Sequence, residues 1–261
     1  MRKFYIGTHL DFLKSICKTY PFKSSGGKAS KGFFTSHDKK FIFKSVKKEE
    51  FENFCHFASD YFEYLCDSFF HNHSSALAKI VGAFDVKMTC QSHPTINSRQ
   101  FFLVSENLNM GIDLDDEKNI VRYDLKGSEN NRLVTPPIGP DGLPERVVLL
   151  DNNFLLKMRA RPLLLNFNDA NQLHECVLQD CEFFRKAAIV DYSLLVVIDT
   201  RKKSVRYCIL DYCQYFNKTK QLEYVTKKTF NFGGLPTIVP PELYEMRFCN
   251  FMISNFIGMN T

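Results

Sequence analysis

Two aspartates stand out as candidates for chemistry, because each interrupts or ends an apolar run. The stretch AIVDYSLLVV, Ala188 to Val197, sets the Asp191 carboxylate among hydrophobic neighbours. An isolated charge in such a setting is costly, so it calls for a helix N-terminus, a cation or a metal as partner. After Leu194–Ile198 comes the polar Asp199-Thr200-Arg201-Lys202-Lys203, and then Val205–Leu210, which ends at Asp211. Two β-rich runs around a polar turn read as a hairpin centred on Arg201. That turn would bring Asp191 and Asp211 to the same open end of the ladder, where directly opposed Cβ atoms lie about 5 Å apart. Two anions so close repel unless a proton or a cation sits between them. The pair therefore points to a Mg²⁺ site; the alternative is two unrelated loop aspartates flanking a hairpin.

Three further segments bear on the same chemistry. SSGGKASKG, Ser24 to Gly32, is small and basic and carries Gly26, Gly27 and Gly32. Glycines let backbone N–H groups approach phosphate, so a phosphate cradle is one reading. With neither Walker A spacing nor GxGxxG, a plain flexible loop is the other. In KKFIFKSV, Lys44 shares a strand face with Ile42 and Val46, opposite Phe41 and Phe43. A lysine there needs an anionic partner such as a nucleotide phosphate or a helix glutamate, unless it snorkels at a strand edge. In IVRYDLKGS, Val121, Tyr123 and Leu125 alternate with Arg122, Asp124 and Lys126. The polar face is either solvated or aims Lys126 at a phosphate.

The elements that must hold these residues follow from periodicity. Phe51, Phe54, Cys55, Ala58, Phe62, Leu65, Cys66 and Phe69 recur at helical spacing, predicting an amphipathic helix from Glu50 to Phe70 with that stripe as core. A strand from Gln100 to Ser105 leads into Glu106-Asn107-Leu108. Ser128 to Arg146 holds four prolines and two glycines and must be a long loop. Asn168-Asp169 can cap a helix whose stripe is Leu173, Cys176, Val177, Cys181, Phe184 and Ala188. A last helix starts near Pro241 and runs through Phe248 and Phe251.

Composition limits the function classes. A chain of 261 residues, 44% hydrophobic, has ample core for one large domain or two lobes and is not disordered. The nine cysteines lack any paired metal spacing, which reads as core thiols in a reducing, cytoplasmic compartment. Asp11 and Lys14 break up the N-terminal segment and no run of eighteen apolar residues occurs, so neither a signal peptide nor a membrane span is expected. The net charge of +5 slightly favours anionic partners. No nucleic-acid-binding pattern is found.

Glycine loop, strand lysine, acidic helix, linker strand and two hairpin aspartates resemble the protein-kinase order of parts, yet HRD, DFG and APE are all missing. In their places stand DLKGS (Asp124 to Ser128), DYSLL (Asp191 to Leu195) and ILD (Ile209 to Asp211). With these the chain resembles the phosphatidylinositol phosphate kinase family from about Ser24 to Phe256. Within it, SGGK, ALAKI, ENL, VVLLD, LLKM and PPELYEMRFCNFM are most similar to the endosomal 3-phosphate 5-kinases.

The resemblance implies an α+β, two-lobed kinase-like fold. An antiparallel-sheet lobe with a long helix would occupy 1–105, and a mixed α/β lobe 106–261. Lys44 would bind the ATP phosphates, Asp211 Mg²⁺, Asp191 the acceptor hydroxyl and Lys126 a phosphate; Glu106, Asn107 and Leu108 would form the adenine hinge. Glu50 is the candidate partner of Lys44, with Glu49 almost as well placed. The stretch after Asp211 would be an activation loop. There Lys218, Lys220, Lys227 and Lys228, near Tyr212, Tyr215, Phe216 and Tyr224, suit an anionic membrane surface. Leu210, where the family commonly has isoleucine, and Ala29-Ser30-Lys31 depart from the pattern. The implied substrate is phosphatidylinositol 3-phosphate, on the cytosolic face of endosomal or other internal membranes. A 4-phosphate 5-kinase and an inactive phosphoinositide-binding scaffold are the rival readings, and a regulatory protein scaffold is a further implied partner.

Overall fold

The computed structural model describes residues 6–22, 32–89, 97–112, 117–160, 162–217, 221–222, 225–226 and 239–259. In chain order these form α1 (His9–Ile16), β1 (Thr19–Pro21), β2 (Phe33–Ser36), β3 (Phe41–Val46), α2 (Lys48–Phe70), β4 (Ile80–Met88) and β5 (Ser98–Glu106). Then come β6 (Ile120–Leu125), α3 (Asp151–Ala160), β7 (Leu164–Asn166), α4 (Phe167–Lys186), β8 (Ile189–Val190) and β9 (Ser193–Asp199). The chain continues with β10 (Ser204–Leu210), β11 (Gln214–Tyr215), α5 (Pro241–Asn255) and β12 (Ile257–Met259). This is the expected α+β class. Two compact units result, one of Met1–Cys66 with Ala78–Leu114, the other of Asp67–Leu77 with Asp115–Thr261. A cut at residue 105 would have assigned Glu106 to Leu108 to the second unit; they belong to the first.

The first unit is an antiparallel sheet of order β1-β2-β3-β5-β4. Alternation turns Phe41 of β3 toward a core shared with Phe12 of α1, Val81 and Val104, with Phe43 packed against it. Helix α1 has no strong apolar run to announce it. It forms because Thr8 and Asp11 make a reciprocal capping box and Phe12 docks edge-on to Phe41 at 5.5 Å.

Helix α2 is as long as expected, but its core row is different. Phe54, Phe57, Tyr61 and Leu65 are buried, whereas Cys55 is exposed and Phe62 and Phe69 remain 38% and 46% exposed. Aromatic residues populate both rows, so periodicity alone could not choose between them. Tyr61 can be fully buried because its hydroxyl accepts a hydrogen bond from the Ile80 N–H at 2.7 Å.

In the second unit β9 lies between β10 and β6. Asp199 closes the β9–β10 turn by accepting the N–H groups of Arg201 and Lys202 at 3.0 and 2.8 Å. Residues 126–150 form the expected irregular loop, fastened by isolated bridges Ile138–Pro144 and Tyr123–Leu149. Helix α4 buries Leu173, Cys176, Val177, Cys181 and Phe184 as expected. Its cap is Asn166 rather than Asn168-Asp169, and Ala188 lies outside it, exposed and at φ 53°. The row also contains Asp180, buried because Ser75 Oγ and the Ala76 N–H donate to it at 2.9 and 2.7 Å. Helix α5 begins at Pro241 and buries Tyr244, Phe248 and Met252. Among the described residues eight cysteines are free, five of them buried, and no helix is long and apolar enough to cross a membrane.

Candidate active site

The hairpin at the centre of the second unit pairs Ser204 with Asp199 through to Leu210 with Ser193. The ladder is centred between Arg201 and Lys202, so Asp211 continues toward Tyr192 and is offset by one residue from Asp191. A second short ladder, β8–β11, pairs Val190 with Gln214 and Ile189 with Tyr215. Asp191 links β8 to β9, and Asp211 begins the link from β10 to β11. Each carboxylate therefore sits at the corresponding break between two antiparallel ladders. Both residues are left-handed, Asp191 at φ 68° and Asp211 at φ 62°. Non-glycine residues hold such angles at a cost of order 1 kcal/mol or more, and only where the surroundings over-determine them.

Those surroundings are aromatic. Tyr192 is buried, with ring centroids 4.6 Å from Phe184, 4.6 Å from Tyr244 and 5.0 Å from Phe248. The Tyr244 hydroxyl donates a short hydrogen bond to the Tyr192 carbonyl. Burial holds the Tyr192 and Tyr244 phenols well above their ordinary pKa. Tyr212, grouped with the membrane-facing aromatics in the sequence, is instead core: it is buried and stacks on Phe184 at 5.2 Å. A phenol ring continuing a strand pattern carries no sign of which side it will take.

The partner that Asp191 required is Lys126. Its Nζ lies 2.5 Å from Asp191 Oδ1 and 2.8 Å from the Asp191 carbonyl oxygen. Lys126 directly follows β6, which pairs Leu125 with Leu194 of β9. The polar side of β6 is not merely solvated. Arg122 makes a two-fold contact with Glu117, at 2.8 and 2.7 Å, and Arg132 reaches Asp124 Oδ1 at 2.6 Å.

Beneath DLKGS lies a network that sequence reasoning missed. Asp151, with no exposed surface, accepts the N–H groups of Lys126 and Ser128 at 2.9 and 3.2 Å and Arg132 Nε at 2.7 Å. Arg132 spans Asp151 and Asp124. Burial alone would lower the pKa of its guanidinium, but the two carboxylates outweigh burial and raise it. Gly127 must be glycine: it has φ 66°, and a Cβ there would lie 3.0 Å from the Arg247 carbonyl oxygen and 3.1 Å from Phe248 Cα. Asp151 closes the apolar run VVLL, so the argument that singled out Asp191 could also have found it.

In the first unit, Lys44 lies on β3 opposite Phe33 of β2 and Leu103 of β5. The strand is interior, so snorkelling at an edge does not describe it. Lys44 Nζ is 2.6 Å from Glu50 Oε1, both side chains being about one-third exposed. Of the two candidate glutamates, Glu50 makes the pair. Gly32 has φ 115°, and a Cβ on it would come within 3.0 Å of Ser45 Cβ. Glu106 accepts the Lys79 N–H at 3.1 Å, and Asn107 donates to the Lys39 carbonyl at 2.7 Å while accepting the Asn109 N–H at 3.0 Å. Both side chains thus brace the chain where it leaves β5 and enters the turn that begins at Leu108. Gly26, Gly27, Lys218, Lys220, Lys227 and Lys228 lie outside the described residues.

Among the described residues no three His, Cys, Asp or Glu side chains cluster as a self-sufficient metal cage. Mg²⁺ does not need one, since it is usually held by one or two carboxylates together with substrate phosphates and water. Asp211, at the ladder break, is one hard oxygen donor of that kind, whereas Asp191 Oδ1 is engaged by Lys126.

Residues 16–207 match the family model for Phosphatidylinositol-4-phosphate 5-Kinase, and the chain belongs to that family. It is 34% identical over 98% of its length to the 1-phosphatidylinositol 3-phosphate 5-kinase of Mus musculus, and 35% identical over 95% to that of Homo sapiens. It is also similar to the Saccharomyces cerevisiae 1-phosphatidylinositol 3-phosphate 5-kinase, at 30% over 91%. These curated relatives are far longer, the chain spanning 12%, 12% and 10% of them.

Proposed function

We propose that this chain transfers the γ-phosphate of ATP to the 5-hydroxyl of phosphatidylinositol 3-phosphate, making phosphatidylinositol 3,5-bisphosphate. The observation that carries the catalytic reading is Asp191, held at a strained ladder break by the Lys126 ammonium. The names of the relatives support the 3-phosphate acceptor.

Catalysis of this kind is mostly positioning and electrostatics. Asp191 orients the inositol 5-hydroxyl and takes its proton as the oxygen attacks the γ-phosphorus. The bond from that phosphorus to the bridging oxygen breaks, and the electron pair leaves with ADP. Lys126 fixes the Asp191 carboxylate and offsets negative charge on the substrate side. Lys44, oriented by Glu50, neutralises the ATP phosphates, while Gly26, Gly27 and Gly32 belong to the loop over them and Glu106 to Leu108 contact adenine. Asp211 would hold Mg²⁺, which when bound neutralises phosphate oxygens. Lys218, Lys220, Lys227 and Lys228 meet the anionic membrane, each contributing about 1 kcal/mol near such a surface. The enzyme then works as a peripheral protein on the cytosolic face of endosomal or other internal membranes.

The description of the matched family favours one second reading, phosphatidylinositol 4-phosphate as acceptor. The test is to incubate purified protein with Mg²⁺, labelled ATP and vesicles of each monophosphorylated phosphoinositide at equal charge, then identify the products. The 3,5-bisphosphate is expected to dominate. Faster turnover of the 4-phosphate overturns the acceptor assignment, and no lipid product from any vesicle overturns the kinase reading.

A further inference from the structure

Helix α2 leaves one flank unexplained. Beside its buried row runs a second apolar row at helical spacing, Cys55, Ala58, Phe62, Cys66 and Phe69. Phe62 and Phe69 are 38% and 46% exposed, Cys55 is exposed, and Phe70 in the last turn is 70% exposed. Next round the helix come Glu52, His56, Asp60, Glu63 and Asp67, all exposed. The helix holds six carboxylates against a single lysine, although the whole chain is net positive. Apart from the Lys44–Glu50 pair, Glu52 and Asp67 are paired with Lys48 and His71 in contacts more than half exposed, and such pairs contribute little and are readily exchanged.

We propose that this flank of α2 docks a basic amphipathic helix of a partner protein, its apolar side on the row from Cys55 to Phe69 and its lysines or arginines over Glu52, Asp60, Glu63 and Asp67. Charge decides among the possible occupants. A second copy would set the same carboxylates against each other, and an anionic membrane would be repelled by them. A basic helix satisfies both rows at once, in the manner of a helix laid along an apolar stripe. On the kinase reading such a partner would grip the helix whose first turn presents Glu50 to Lys44; the docking itself does not depend on that reading.

The test measures binding, not turnover. Fluorescence anisotropy is recorded for a labelled synthetic helix with leucines on one face and lysines on the other, and for the same helix with glutamate replacing lysine. The wild-type chain should bind the lysine peptide, more weakly as salt is raised, and not the glutamate peptide. Phe62→Asp combined with Phe69→Asp should weaken binding by about tenfold or more, the scale of losing central apolar anchors. These substitutions add negative charge, so adhesion by charge alone would strengthen. Unchanged circular dichroism and melting would show that the variant is folded; Phe62→Ser with Phe69→Ser replaces it if the aspartates unfold the chain. No binding of the lysine peptide, equal binding of both peptides, or undiminished binding by the folded variant overturns the proposal. So does a self-association, or a binding to anionic vesicles, that these substitutions abolish.

Discussion

Lys126 Nζ donates to both the carboxylate and the backbone carbonyl of Asp191, at 2.5 and 2.8 Å, tying together residues 65 positions apart. One cation thus sets both the charge environment and the local backbone of the proposed catalytic aspartate. Lys126→Met should lower lipid phosphorylation by on the order of 100-fold, the scale of removing one preorganised electrostatic group. Asp191 is about one-third exposed and can rehydrate, so the melting temperature should hardly move. Near-normal turnover on vesicles would remove Lys126 from the site.

The two aspartates should separate by function. Asp191→Asn is expected to bind Mg²⁺-nucleotide normally and to abolish turnover, because it keeps the shape but not the base. Asp211→Asn is expected to weaken Mg²⁺-dependent nucleotide binding. Calorimetric titration alongside product assay distinguishes them, and normal lipid phosphorylation by both variants would end the assignment.

Lys44 and Glu50 should behave as a unit. Lys44→Met keeps the stem on β3 while deleting the charge, and activity should fall by about 100-fold or more in a folded protein. Glu50→Gln should lose less, because it frees the ammonium without removing it. Adding the glutamine change to Lys44→Met should then cost little more. Additive losses in this double-mutant cycle would show that the 2.6 Å pair is not functional.

Arg132 differs from Lys126 in being structural. Arg132→Met leaves Asp151 buried without its cation, and breaking a buried pair costs about 3–5 kcal/mol. Urea unfolding should therefore register a loss several times that of Lys126→Met. Equal stability of the two variants would mean that Asp151 is not held as a buried charge.

The turn after β2 should carry an acid-sensitive contact. Burial alone would raise the Asp38 carboxyl, but hydrogen bonds from Ser36 and Ser15, each 2.7 Å, outweigh it and hold the pKa at about 2 against an ordinary 3.8. A depressed carboxylate pKa contributes stability above the unfolded value that is lost as pH falls from about 4 toward 2. Asp38→Asn should flatten that part of the stability curve. An unchanged slope in acid melts would argue against the contact.

Much of the architecture was legible in the residues because it depends on neighbours in the chain. The β9–β10 hairpin follows from alternation and a polar turn, the long loop from its prolines, and α5 from Pro241 at its start. The motifs around Asp191, Asp211 and Lys126 were readable for the same reason. Pairings across the chain were not. Periodicity picked the stripe through Cys55, Phe62 and Phe69 as the core of α2, and the packed fold instead buried the row with Phe57 and Tyr61. Glu49 and Glu50 are equivalent in composition, yet only a helix placed over β3 gives Glu50 to Lys44. The cation beside Asp191, the burial of Tyr212 and the whole Asp124–Arg132–Asp151 network depend on strand order and on where the loop after β6 returns. Secondary structure repeats with the local backbone and so prints a period on the chain. A hydrogen bond between residues 65 apart leaves no period, because only the packed fold brings its two ends together.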